Sequence, residues 1–254
     1  MSNDPELSDR ADAHDIIARY YADPVRRLAL MRDLFNRSAR YYDPVNRLFS
    51  LGSGAWYRRA CLRDAGVQPG CVVVDVAVGT GLLAREAVGL TGDARAVIGV
   101  DVSEAMLSIA RARLGIALVQ GAAEALPLAS ACADFVTMGY ALRHIADLHG
   151  ALREARRVLR PGGTVVLLEI SPPRKRLNRM LAAVYIGRII PALALLTTRN
   201  RRARALMRYH WQTIVNMMPP EIVIGAMEEC GFEVVDCRTE LDLFRCYRGR
   251  RPLD

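Results

Sequence analysis

The chain has 254 residues, 52% of them hydrophobic and 24% charged, which is enough to bury one sizeable core and predicts a single domain with appendages. Its six cysteines (Cys61, Cys71, Cys132, Cys230, Cys237, Cys246) stand far apart with no Cys-x-x-Cys pair. That spacing excludes a disulfide frame and a zinc ribbon and reads as buried thiols in a reducing cytoplasm. The net charge of +8 is unevenly spread, with ten basic residues and no acid between Arg174 and Arg208.

The first stretch, Met1 to Asp15, is acidic and polar and lacks the basic-then-apolar order of a secretion signal, so the expectation is a protein that stays inside the cell. Helical patterns follow over Asp9 to Tyr21, Pro24 to Asn36, Arg40 to Leu48 and Ala55 to Ala65, with Pro24 and Pro44 placed as helix starters. Residues 1–66 are therefore expected to form a helical extension. Residues 67–170 change character. Val72-Val-Val-Asp-Val-Ala-Val-Gly-Thr-Gly81 is a β-branched run that ends in an acid and breaks into a Gly-x-Gly turn. Such a run fits a strand buried on both faces, and the glycines let the backbone turn sharply and pass close to a ligand. A second strand, Ala94 to Val100, closes on Asp101, an acid placed some twenty residues past the glycines to accept hydrogen bonds from a ribose. Ser103 reads as the cap of the next helix. After Leu118 to Pro127 come a strand at Asp134 to Met138, a helix to about Leu159, the turn Arg160-Pro-Gly-Gly163 and a strand at Thr164 to Glu169. Residues 171–218 form a basic, apolar, mostly helical insertion. Residues 219–254 carry a last helix, Pro220 to Cys230, and two strands, Phe232 to Cys237 and Leu241 to Tyr247, expected as an antiparallel hairpin.

The insertion contains Leu181 to Leu196, interrupted by Arg188 and Pro191 and too short to span a bilayer that needs about 20 apolar residues. It fits either a segment lying on an anionic membrane surface or a core helix with a solvated basic rim. Nucleic-acid binding ranks behind both because few aromatics are interleaved for stacking. Extension and insertion both fall where they could fold over the carboxyl edge of the sheet as a lid. His14, His149 and His210 have no paired ligand at helical spacing and read as surface or core residues.

The order of parts resembles the class I S-adenosylmethionine-dependent methyltransferases. A nicotinamide fold is disfavoured because Gly81 is followed by Leu-Leu-Ala and lacks the third glycine. Methyltransferases of nucleobase or glutamine nitrogens are disfavoured because Met138-Gly-Tyr-Ala-Leu stands where they place an Asn/Asp-Pro-Pro-aromatic turn. The likeness narrows on Phe35-Asn36, Ala39, Tyr42-Asp43, Asn46, Ser50 to Gly52, Trp56-Tyr57-Arg58, Ala123-Glu124-Ala125-Leu126-Pro127, Tyr140-Ala-Leu-Arg-His144, Val158 to Gly163, Leu168-Glu169 and the Tyr185 to Pro191 pattern. From Phe35 to Phe232 the chain is similar to the ubiquinone/menaquinone C-methyltransferase family.

That resemblance implies a Rossmann-like α/β fold with a seven-stranded, mostly parallel sheet, S-adenosylmethionine as cofactor and the ring of a polyprenyl quinone as substrate. Carried onto this sequence, Asp75, Ala77, Gly79, Thr80, Gly81, Asp101, Val102, Ala122, Ala123 and Glu124 would hold the cofactor. Tyr42, Trp56, Tyr140 and Tyr209 would meet the quinone, with Arg143, His144 and Tyr185 catalytic. Three polar positions depart from the family's usual pattern: Leu82 stands where an acid follows Gly-Thr-Gly, Ala122 where Asp or Asn precedes Ala-Glu, and His144 where Asn follows Arg. These departures resemble the branch that makes rhodoquinone, in which S-adenosylmethionine is the amine donor, a ubiquinone methoxy group is replaced, and a divalent metal such as manganese takes part. In that reading His144 is a metal ligand or proton carrier. Ordinary C-methylation and a non-catalytic scaffold in a quinone-synthesis assembly remain open. The implied setting is the cytoplasmic face of the inner membrane, with peripheral contact, and a homo-oligomer or a quinone-synthesis complex.

Overall fold

The structure, a computed structural model, describes residues 24–50, 52–193 and 210–254. The predicted helix at Asp9 to Tyr21 and the candidate Tyr209 lie outside them.

A seven-stranded sheet organises the chain, in the order β3-β2-β1-β4-β5-β7-β6. Its strands are β1 (Val73–Val76), β2 (Val97–Asp101), β3 (Ala117–Gln120), β4 (Ala133–Gly139), β5 (Leu159–Ile170), β6 (Glu233–Glu240) and β7 (Phe244–Arg250). The first five pair in parallel, and β7 runs antiparallel to both β5 and β6, which is the predicted closing hairpin with a longer first strand and a second strand that starts later, at Phe244. Helices α1 (Pro24–Ser50) and α2 (Gly54–Asp64) precede the sheet. Then α3 (Leu82–Thr91), α4 (Glu104–Arg111) and α5 (Leu148–Val158) are its crossovers. Helix α6 (Arg176–Val184) runs into a π-turn at Tyr185–Ile189, and α7 (Pro220–Glu229) precedes the hairpin.

All four side chains of β1 are buried because helices cover both faces of the sheet. Alternation along the strands sorts the core into two halves. Val74, Val76, Val136, Met138 and Leu167 pack with Ala155 and Val158 of α5 and Met227 of α7. Val73, Val97, Phe135 and Leu168 pack with Leu62 of α2 and Leu83 and Ala87 of α3. The strand order reverses between β1 and β4, so the carboxyl ends of β1, β2 and β4 open a crevice at Val76, Asp101 and Gly139. Ligands bind at such a switch point.

Three local expectations need correction. Pro44 does not start a helix: α1 is continuous from Pro24 to Ser50 with Pro44 inside it, and at the expected break Ser38 Oγ donates back to the Leu34 carbonyl at 2.7 Å. The second strand begins at Val97, because Asp93 accepts the Arg95 N–H at 2.9 Å and winds Ala94–Ala96 into a 3-10 turn. Arg160 to Gly163 lie within β5, whose pairing with β4 absorbs them as a register shift between Ala133 and Phe135. Ser103 caps α4 as expected, its Oγ accepting the Met106 N–H at 3.2 Å.

Candidate active site

The loop after β1 is shaped by backbone conformation. Ala77, Gly79 and Gly81 all have positive φ, at 55°, 57° and 87°. Gly81 caps α3, and a Cβ there would collide with Leu114 Cδ1, so this position admits only glycine without rearrangement. The Gly79 N–H donates to Asp101 Oδ2 at 2.8 Å and the Ser103 N–H to Oδ1 at 2.8 Å. Asp101 thus ties the loop to the tip of β2, and each carboxylate oxygen keeps a lone pair for a hydroxyl. Burial pushes its pKa upward. Asp75 is 1% exposed; its Oδ1 accepts from Thr137 Oγ1 at 2.8 Å, while Oδ2 has no partner. Burial, outweighing hydrogen bonding from Thr137 and the Ala84 backbone, raises the Asp75 carboxyl to about 7.

Helix α1 lies over this loop. Asn36 Oδ1 accepts from Ser103 Oγ at 2.6 Å, and Asp43 accepts from Thr80 Oγ1 at 2.5 Å and pairs with Arg113. Beneath it are three adjoining cavities that share Tyr42 and Tyr140. One of about 90 Å³ is lined by Phe35, Ala77, Gly79, Asp101, Val102, Ala123, Glu124 and His144. A smaller one of about 30 Å³ is lined by Asp75, Gly79, Thr80, Leu82 and Arg58. The largest, about 340 Å³, is bounded by Trp56, Tyr57, Arg58, Arg143, Ile170, His210, Ile214 and Phe244.

Arg143 sits at the wall of the largest cavity, 7% exposed, and forms an ion pair with Glu169, which is fully buried at the end of β5. Glu169 also accepts the N–H groups of Arg143 at 3.2 Å and Ile170 at 2.8 Å. Arg143 Nη2 donates to His210 Nδ1 at 3.2 Å. A guanidinium only donates, so His210 carries its proton on Nε2. Burial and the Arg143 charge lower the His210 pKa to about 3, leaving the ring neutral.

His144 faces the 90 Å³ cavity with its ring 5.4 Å from that of Phe35 and 6.4 Å from that of His210. Among the described residues no group of three or more His, Cys, Asp or Glu gathers in metal-binding geometry. The Arg143 charge beside His210 also opposes a second cation. The described residues therefore form no complete metal site of their own.

Most sequence-chosen residues converge here: Asp75, Ala77, Gly79, Thr80, Asp101, Val102, Ala123, Glu124, Tyr42, Tyr140, Arg143 and His144 all line the three cavities. Trp56 lines the rim of the largest but is 71% exposed. Gly81, Ala122 and Tyr185 line none of the three; Gly81 acts through the turn, and Tyr185 lies in the π-turn after α6. Sequence reasoning missed Arg58, Asn36, Asp43 and His210 as site residues. His210, expected as a surface or core residue, lines the substrate-sized cavity, and no local pattern couples it to Arg143, 67 positions away.

A family model described as the ubiE/COQ5 methyltransferase family matches residues 25–240. The chain belongs to this family. Similar relatives are ubiquinone/menaquinone biosynthesis C-methyltransferases of Shewanella frigidimarina, 32% identical with 82% of this chain and 84% of the relative covered, and of Shewanella sp. (strain W3-18-1), 30% identical with 88% and 91% covered. Among solved structures, a Thermotoga maritima S-adenosylmethionine-dependent methyltransferase, a possible histamine N-methyltransferase, aligns with a TM-score of 0.61 at 22% identity, covering 87% of this chain and 99% of its own. Haemonchus contortus phosphoethanolamine N-methyltransferase 2, in complex with phosphomonomethylethanolamine and S-adenosylhomocysteine, aligns at 0.61 and 17% identity over 87% and 60%. These structures establish the class I methyltransferase fold for this family member.

Proposed function

We propose that this chain is an S-adenosylmethionine-dependent transferase acting on the ring of a polyprenyl quinone. The observation that carries the reading is the 340 Å³ cavity, mostly apolar but edged by Arg143, which meets the Asp101–Gly79 crevice through the shared Tyr42 and Tyr140. Asp101 would take the ribose hydroxyls, the Ala77 to Thr80 loop the methionine portion, and Glu124 and Ala123 the adenine side. The orphaned Oδ2 of Asp75 suits an ammonium group, which supports the fit to this cofactor. When bound, S-adenosylmethionine supplies either its methyl group or its amine nitrogen.

Arg143, fixed by Glu169 and His210, would hydrogen-bond a quinone oxygen and stabilise the negative charge that develops on it. Tyr42 and Tyr140, which line all three cavities, would stand between cofactor and ring. The named activity of the relatives, C-methylation, supports methyl transfer to a ring carbon. The chain's own departures point instead to exchange of a ring methoxy group for an amino group, the rhodoquinone-making reaction. Leu82 puts an apolar side chain at the methionine end, where no acid then follows the glycines, and His144 faces the cofactor cavity. Without that acid the cofactor's amine is easier to deprotonate, and as a free base it would be able to add to the ring carbon and expel the methoxy group as methanol, the aminoquinone then being released by elimination across the cofactor's own carbon–nitrogen bond.

Mass spectrometry of the product decides between them. The protein is supplied with S-adenosylmethionine and a short-chain ubiquinone, with and without manganese, and separately with a demethylated quinol. An aminoquinone that has lost methoxy supports amine exchange, a methyl gain on the quinol supports methylation, and neither product overturns the proposal. Calorimetry that detects no S-adenosylmethionine binding would leave the scaffold reading.

A lipid substrate also bears on where the protein works. On α6, Leu177, Met180, Leu181 and Val184 follow i, i+3, i+4, i+7 spacing, and all are exposed, flanked by exposed Arg174, Lys175, Arg176 and Arg179. An apolar face rimmed by cations fits an anionic lipid surface. Among the described residues no helix is long and apolar enough to cross a membrane. Peripheral contact is accordingly part of the proposal.

A further inference from the structure

Helix α2 turns Gly54, Tyr57, Arg58, Cys61 and Leu62 toward the core, an i, i+3, i+4, i+7, i+8 stripe with one charged residue in it. Arg58 is 5% exposed. Its neighbours on the helix are accommodated at the surface: Arg59 reaches Glu86 and the Gly89 carbonyl, and Arg63 reaches Asp64. Arg58 makes no ion pair or hydrogen bond with any described residue, and its Nε is buried without a partner. A buried Nε left in this state is costly, because that N–H has given up water without regaining an acceptor.

The position of that charge identifies what would satisfy it. Arg58 lines both the 30 Å³ cavity beside the glycine loop and the 340 Å³ cavity. In the smaller one it shares the wall with Asp75, whose Oδ2 is also unpartnered, and its charge is felt by Asp75, Tyr42 and Tyr140. A guanidinium with an unpartnered Nε and a carboxyl with an unpartnered Oδ2 in one small cavity complement an α-amino acid, which carries a carboxylate and an ammonium on one carbon. We propose that Arg58 holds the carboxylate of the cofactor's methionine portion, opposite Asp75 at its amine. This rests on the S-adenosylmethionine reading above. It makes Arg58 a binding residue that reaches the glycine loop from a helix that precedes the sheet.

The test compares ligands that differ only in this carboxylate. Calorimetric titration of the wild-type protein should give a Kd for S-adenosylmethionine about 10- to 100-fold tighter than for its decarboxylated analogue, the range for hydrogen bonds to a charged group. R58Q should lose that factor for S-adenosylmethionine and leave the decarboxylated analogue unchanged, while R58K, which keeps the charge but not the fork, should recover part of it. Equal wild-type affinity for the two ligands overturns the proposal without any variant. So does an R58Q protein that weakens both ligands equally, or one that leaves S-adenosylmethionine binding intact and raises the quinone KM, which would give the guanidinium to the ring. A wild-type protein that binds neither ligand would defeat the cofactor reading itself.

Discussion

Arg143→Met tests whether the guanidinium at the cavity wall is also a structural counter-charge. Glu169 is fully buried and receives three donations, from the Arg143 side chain and from the Arg143 and Ile170 N–H groups. Methionine fills similar volume but leaves the carboxylate with two backbone donors and no cation. Removing one partner of a buried pair costs about 3–5 kcal/mol, against a total stability of about 5–15 kcal/mol. With a urea m-value of about 3 kcal/mol/M, the unfolding midpoint followed by far-UV circular dichroism should fall by about 1–1.7 M. Adding Glu169→Gln should recover part of that loss, because the neutral amide removes the unpaired buried charge, although it keeps one acceptor oxygen for the two backbone N–H groups that now use both carboxylate oxygens. Arg143→Lys should retain most of the stability yet form little product, since an ammonium cannot bridge Glu169 and His210 as the planar fork does. An Arg143→Met midpoint within error of wild type, or a double variant no better than the single, would refute the argument.

Further outcomes follow from the same geometry. Asp75 titrates at about 7 in the folded chain against 3.8 for the solvated side chain, so the folded state binds its proton more tightly. Its contribution is fully present below about pH 4 and is lost as pH rises through about 7; urea midpoints should fall over that window in wild type more than in Asp75→Asn, and parallel profiles would contradict the assignment. Gly81→Ala collides with Leu114 Cδ1 with φ at 87° and should lose about 1–3 kcal/mol by thermal melting, with Leu114→Ala restoring only the steric part. Leu177→Asp combined with Leu181→Asp should abolish co-flotation with vesicles containing anionic phosphatidylglycerol while leaving turnover of a short-chain quinone unchanged; undiminished flotation would remove α6 from the membrane face.

What the sequence made legible follows the reach of each physical signal. A valine run buried on both faces, an acid at a strand tip and a glycine turn are local, so β1, β2 and the Asp101 tie to Gly79 could be read from the chain alone. The closing hairpin was legible too, though its first strand runs on to Glu240 and its second begins at Phe244, so Leu241 to Leu243 form the turn between them. Contacts made by helices far away in the chain were not. Asn36 meets Ser103 across 67 positions, Asp43 meets Thr80 across 37, and Arg143 meets His210 across 67. None of these pairs leaves a periodicity. Arg58 did leave a trace, a charged residue on an otherwise core-facing helical stripe, but a buried arginine acquires meaning only once its lack of a partner is visible.

The two reactions make different demands on one proton, and that difference can be measured at Asp75. Methyl transfer is indifferent to whether the cofactor's amine is protonated, whereas amine exchange requires the free base. Among the described residues lining the 30 Å³ cavity, Asp75 is the one carboxylate, with Leu82 beside it. A carboxyl poised at about 7 is matched to accept that proton near neutral pH. Asp75→Asn keeps the shape and the Thr137 hydrogen bond but cannot take the proton. If amine exchange is the reaction, the variant should lose kcat by about 100-fold or more, with KM for S-adenosylmethionine changed far less. If methyl transfer is the reaction, the same substitution should act on KM alone, because only the ammonium contact is removed. A kcat unaffected by Asp75→Asn, with aminoquinone still formed, would place the proton acceptor elsewhere in the site.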